Sequence, residues 1–186
     1  MKALTVWQPW ASLIAIGAKP YEFRSKPYKF YINAPKPGER IAIHAAARLV
    51  KRGEVADLLN RLERNDGAVN PCLIREPALA LLRRIWDGFE LRAKHAPVAL
   101  CVPLSAVVCT AVIGEPKRGD LCAQEFGRGK GLRTPFGSGS AFNWGWPLTD
   151  IEPVMPPIEA KGKQGFWEWR SDAYARASAV EGVEAA

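Results

Sequence analysis

The stretch WASLIAIGAKPYEFR, residues 10–24, changes its hydrophobic period halfway along, and that change sets the fold class. Its first half places Trp10, Leu13 and Ile14 on one face of a short helix. Pro9 suits the first turn, and Gly17 can end the helix in the left-handed conformation. In its second half Tyr21 and Phe23 alternate with Glu22 and Arg24, so a strand puts the aromatics on one face and both charges on the other. Lys19, Glu22 and Arg24 are then ordinary surface charges, a structural ion pair or one constructed site, and the rest of the chain decides between these.

Outward from this stretch the pattern is strand, helix, strand. ERIAIHAAA, residues 39–47, alternates Ile41 and Ile43 as a core strand, with His44 at its end. From about residue 48 to 92 the period becomes helical: Val55, Leu58, Leu59 and Leu62 form one stripe, and Leu79, Leu82, Ile85, Trp86 and Phe89 a second, with the turn-rich RNDGAVNPC between them. PVALCVPL and SAVVCTAVIGEP return to β-branched composition. GRGKGLRTPFGSGSA, residues 127–141, reads as a basic Gly-rich loop. FNWGWPLTDIEPV and AKGKQGFWEWR follow, and then an Ala-rich tail over 171–186 that is expected to fray. Strands at both ends with a helical insertion between them predict an α+β domain: a small closed β-barrel with peripheral helices, spanning 1–170 with an insertion at about 48–95.

Composition narrows the function. The chain has 186 residues, 48% of them apolar, enough for one compact core. No apolar run approaches the roughly 20 residues that span a bilayer, and the N-terminus lacks the order of a secretory signal, so a soluble, cytoplasmic protein without membrane contact is expected. Cys72, Cys101, Cys109 and Cys122 show no CxxC spacing and read as buried thiols, not as zinc ligands or disulfides. With only His44 and His95 as histidines, neither a metal site nor a Ser-His-Asp arrangement is supported, so no metal and no cofactor is assigned. The formal net charge of +7 attracts polyanions, nucleic acid above all. The basic residues of the helical segments, Arg48, Lys51, Arg52, Arg61, Arg64, Arg83 and Arg84 among them, read as a solvated face.

Four blocks in order, WASLIAIGAKPYEFR with its GxKxxExR spacing, IAIHAAA, FNWGWPL and AKGKQGFWEW, resemble the ASCH domain family of the PUA-like superfamily. The resemblance covers most of residues 1–170 apart from the helical insertion. It implies a PUA-like β-barrel with a cleft that holds the signature, and a role in binding RNA or modified nucleotides. Some members are hydrolases, among them an amidohydrolase acting on N4-acetylcytidine and a ribonuclease. The amidohydrolase carries a threonine at the position of Glu22, so its hydroxyl chemistry does not transfer to this chain.

The residue chemistry agrees with a binding role. Lys19 is a point charge for a phosphate or, deprotonated by burial, a base. Glu22 accepts from an exocyclic amine or activates a water, and Arg24 holds Glu22 or clamps phosphate. If the protein is an enzyme, Lys19 and Glu22 are its catalytic residues. Asn143 and Trp144 join the ligand-binding set from the FNWGW block, Trp144 as a stacking plane, while Trp146, Trp167 and Trp169 read more as core. Lys161 and Lys163 add charge, Gln164 offers an amide to a base edge, and the flanking glycines permit close backbone approach. The expected partner is RNA or a nucleotide, with DNA left open. The alternatives are a hydrolase of a nucleobase amide or an RNA phosphodiester, and a protein-interaction module using the helical insertion.

Overall fold

The computed structural model describes residues 1–93, 102–127, 144–170 and 172. His95, Cys101, Asn143, the basic loop after Gly127 and the tail other than Asp172 lie outside the described residues. The elements are β1 (Lys2–Val6), α1 (Trp10–Ala15), β2 (Tyr21–Arg24), a 3-10 turn at Tyr28–Phe30, β3 (Arg40–Ala45), α2 (Arg52–Glu63), α3 (Arg75–Ala93), β4 (Ala106–Ile113), β5 (Lys117–Arg118), α4 (Gly119–Gln124), β6 (Trp144–Glu159) and β7 (Phe166–Glu168). The expected helix and strand in residues 10–24 both form, as do the two helices of the insertion.

The strands make one mixed sheet in the order β2-β6-β4-β3-β1-β7, with β5 also on β6. Only β1 and β3 run parallel; the other pairs are antiparallel. This is the expected α+β class, a sheet curled into a half-barrel with helices outside it. The expected closure by strand pairing is absent among the described residues, because the edge strands β2 and β7 share no ladder.

Aromatic packing instead brings β7 against β6, the strand next to β2. Trp146 of β6 stacks on Phe166 of β7 at 5.7 Å between centroids, and Tyr28 and Tyr31 present their edges to both rings. Trp146 is fully buried, and its indole N–H donates to the Lys26 carbonyl. Offset and edge-to-face pairs of this kind add to what burial alone provides. Gly145, between the two tryptophans of β6, must lack a side chain: a Cβ there would lie 2.5 Å from the Cys122 sulfur, with the Tyr21 and Phe23 rings close by.

A second core lies outside the sheet. Leu13 of α1 and Ala18, just past its end, pack with Val55, Leu58, Leu59 and Leu62 of α2 and Leu79, Leu82 and Ile85 of α3. The Ile74 N–H donates to the Ala18 carbonyl, fixing the start of α3 against the end of α1. The insertion therefore buttresses the segment that carries the GxKxxExR residues. Cys72, Cys109 and Cys122 are buried and form no disulfide among the described residues, where also no helix is long and apolar enough to cross a membrane.

Because Trp146 links β6 to β7 where no strand ladder does, Trp146→Ala is expected to cost roughly 3–5 kcal/mol of stability. Urea denaturation followed by far-UV circular dichroism measures it; a loss below 1 kcal/mol would show that the aromatic contact does not hold the curl.

Candidate functional site

Lys19 is positioned by the way α1 ends. Gln8 sets the start of the helix: its side-chain oxygen accepts from the Ser12 N–H, and its amide donates to the Ser12 hydroxyl and the Pro103 carbonyl. Gly17 then turns the chain at φ +73° and donates to the Ile14 carbonyl, after which the Lys19 N–H donates to the Leu13 carbonyl. A left-handed residue after the last helical turn is the ordinary use of glycine at a helix end. Here it folds Lys19 back beneath its own helix, 3% exposed, near the rings of Trp10 and Phe23.

The strand that follows brings the other two charges to Lys19. Lys19 Nζ donates to Glu22 Oε2 at 2.6 Å and to the Tyr21 carbonyl at 2.5 Å, while Arg24 Nε donates to Glu22 Oε1 at 2.8 Å. Arg24 also reaches the Thr5 carbonyl of β1 at 3.2 Å, and about a third of its side chain remains exposed. The expectation that Glu22 and Arg24 share a side of the strand is met, and the ion pair weighed against a site is present as part of it. Burial pushes the Glu22 carboxyl up, but the two cations outweigh burial and hold it below the usual carboxylate range. For Lys19, burial dominates and pulls the ammonium below its ordinary value, with Glu22 opposing.

These three residues line a cleft of about 700 Å³. Its far wall is the loop from Lys161 to Gly165, so Lys161, Lys163 and Gln164 join Lys19, Glu22 and Arg24, as the sequence suggested. The loop is anchored through Thr5, whose hydroxyl donates to the Lys163 carbonyl at 2.8 Å and accepts from the Trp167 indole N–H at 3.1 Å. The cleft opens where β7 stops: β7 pairs with Lys2–Leu4, and Thr5 and Val6 lie beyond it. Trp144 does not line the cleft. It sits opposite Arg24 in the β2–β6 ladder and packs on the edge of the core, while Trp146, Trp167 and Trp169 are core residues. Asn143 is outside the described residues.

Other cleft residues were not read from the sequence as ligand-binding. Trp7, 58% exposed, stands at the rim with the Arg48 guanidinium 4.2 Å from its ring centroid, and Trp10, read as part of a helix face, turns toward Lys19. The only signal for Trp7 was a large aromatic between a strand and a proline-started helix. Ser105 lines the cleft with a left-handed backbone, φ +49°. His44 lies in the wall beneath Gly162. Among the described residues no group of three or more His, Cys, Asp and Glu is placed to hold a metal ion.

Solved structures similar to this chain include forms of one protein. The ASCH protein from Zymomonas mobilis is 16% identical over 96% of this chain and 94% of that one, with a TM-score of 0.47. Two mutant forms of the same protein are similar at 16% and 15% identity and the same TM-score. No family model and no curated protein matches the chain.

Neutralising Glu22 leaves Lys19 buried without a counter-charge, so Glu22→Gln is expected to cost roughly 3 kcal/mol or more. The double variant Lys19→Met/Glu22→Gln should lose less than the sum of the single losses, by about 0.5–3 kcal/mol; additive losses in denaturant titrations would sever the proposed coupling. The same pair sets an acid dependence. With its folded value held below the 4.5 of a free glutamate, Glu22 contributes stability that is full above that pH and is lost as pH falls through the folded value. Glu22→Gln should flatten that part of the acid-unfolding curve.

Proposed function

We propose that the cleft binds RNA or a modified nucleotide, with residues 1–170 acting as one module. The observation that carries this reading is the charge of the cleft wall: Lys19, Arg24, Lys161 and Lys163 surround one carboxylate, Glu22, which is already shared by two of them. Such a wall prefers an anion. Two planes, Trp7 and Trp10, stand beside the cations, and base–aromatic stacking contributes roughly 1–3 kcal/mol per base. The volume is in the range of small-ligand pockets. The resemblance of the GxKxxExR block and its companions to the ASCH family supports the same ligand class.

The hydrolase alternative asks Glu22, or a Lys19 deprotonated by burial, to take a proton from water. A carboxylate with a cation on each oxygen and a depressed proton affinity is a weak base, and Lys19 donates to both Glu22 and the Tyr21 carbonyl, which favours its charged form against burial, so the geometry supports binding over turnover. Nor does Thr5 stand in for the hydroxyl missing at position 22, since its proton is committed to the Lys163 carbonyl. A role for the helical insertion as a docking module has less support, because its apolar stripes are consumed in packing on each other and on α1.

Fluorescence-anisotropy titration of a short single-stranded RNA tests the proposal. Affinity should fall as salt rises from 50 to 200 mM, and Lys161→Ala/Lys163→Ala should make the log–log slope shallower by about one to two. Trp7→Ala should weaken binding by roughly 1–3 kcal/mol at unchanged melting temperature, because the ring is mostly solvent-exposed. Salt-independent binding would remove the phosphate contacts from the reading, and a Trp7→Ala variant of full affinity would remove the stacking.

A further inference from the structure

We infer that His44 reads the bound nucleotide: its Nδ1 accepts a hydrogen bond from an N–H of the base, so the cleft takes bases that present an unsubstituted N–H edge. The inference rests on the nucleotide reading above and adds the residue that selects within that class.

The proton on His44 is placed by its other nitrogen. Nε2 lies 2.9 Å from the Ala160 carbonyl, which can only accept, so Nε2 carries the hydrogen and the neutral ring leaves a lone pair at Nδ1. Burial pulls the imidazole below its ordinary value, against the Ala160 bond, which favours that neutral form. The ring is clamped edge-on against Trp167 at 5.6 Å, and the residue is 2% exposed. Among the described residues Nδ1 is one of two buried side-chain polar atoms without a hydrogen-bond partner. A buried acceptor left unpaired forfeits its hydration, and a ligand donor restores it.

The neighbours explain why no protein group serves Nδ1. A side chain at position 162 would put its Cβ 2.6 Å from Nδ1 and 2.3 Å from Cε1, so the Gly162 backbone borders this edge of the ring and any other residue there would overlap it. Thr5 Oγ1 is the hydroxyl nearest the same space, 3.0 Å from that Cβ position, but it donates to the Lys163 carbonyl and receives the Trp167 N–H. Both His44 and Gly162 line the cleft that Lys19, Arg24 and Lys163 charge. An anionic ligand held by those cations can therefore turn its neutral donor end toward His44.

The test uses the full chain labelled with 15N-histidine and the four ribonucleoside 5′-monophosphates, with the two histidine spin systems assigned through His95→Gln. Saturation with the tightest-binding monophosphate should move the His44 Nδ1 resonance in the direction of hydrogen-bond acceptance. The analogue with that base's N–H methylated should bind wild type about tenfold more weakly. His44→Phe, which keeps a flat ring without the acceptor, should lose about the same factor toward the parent nucleotide and no longer distinguish the two. An unmoved Nδ1 resonance at saturation, or equal wild-type affinity for parent and methylated forms, overturns the role of His44 while leaving the nucleotide reading intact. Both readouts are made on wild type, so they decide the matter even where His44→Phe fails to fold. Failure of all four monophosphates to bind overturns the nucleotide reading itself and this inference with it.

Discussion

Glu22 receives a hydrogen bond on each carboxylate oxygen, one from Lys19 and one from Arg24, and the placement of the cleft follows from that sharing. A carboxylate and an ammonium this deeply buried are tolerated only if their charges and lone pairs are satisfied in place. Satisfying them constrains three elements at once. Lys19 is tied to the end of α1, Glu22 belongs to β2, and Arg24 reaches across to the Thr5 carbonyl on β1. The triad therefore spans the gap between strands that share no ladder, on the side where the sheet would otherwise splay. The same charges that fix the geometry line the cleft, so in the proposed binding role stability and binding are coupled at these residues.

The half-barrel resolves the edge problem in an unusual order of parts. Edge strands left unpaired usually need covering or charging. Here the polar bridge from Arg24 to Thr5 lies beside the aromatic group of Trp146, Phe166, Tyr28 and Tyr31, and the Arg24 guanidinium stands 5.9 Å from the Trp146 ring centroid. The aromatic group supplies apolar burial and the bridge supplies orientation. Because hydrogen bonding stops short of closure, the wall retains an opening, and the loop from Lys161 to Gly165 borders it.

Much of this was legible from periodicity. The two-residue alternation in YEFR put Glu22 and Arg24 together, the helical stripes of the insertion marked the residues that bury, and Gly17 marked the turn that carries Lys19. Other features depend on contacts distant in sequence. β6 runs through Pro147, Pro153, Pro156 and Pro157, where local rules predict interruption; register shifts against β4, near Cys109 and Thr110, accommodate the ladder. The reading of Trp146 as core holds because Phe166 stacks on it, whereas Trp144, read as a stacking plane, packs on the edge of the core opposite Arg24. Closure of the curl is likewise a matter of register between remote strands. The missing partner of His44 has no sequence signature at all, since it arises from where Ala160 and Gly162 fall above a strand over a hundred positions earlier.

The distribution of charge shows why net charge alone is a poor guide to a binding surface. The helical insertion contributes many of the basic residues, yet Arg48, Arg52, Arg61, Arg75 and Arg83 each face a carboxylate of their own or a neighbouring helix. Such exposed pairs add little to stability, but they cancel the local field. Lys161 and Lys163, by contrast, make no ion pair among the described residues and stand over a cleft whose one acid is already shared. Within about one Debye length of solvent, near 8 Å at physiological ionic strength, an approaching phosphate senses the unpaired charges of the loop more than the paired ones of the helices. The paired arginines of the helical insertion are thus electrostatically quieter than the loop, and the attraction is concentrated at the cleft, where the aromatic planes and His44 of the proposed site lie.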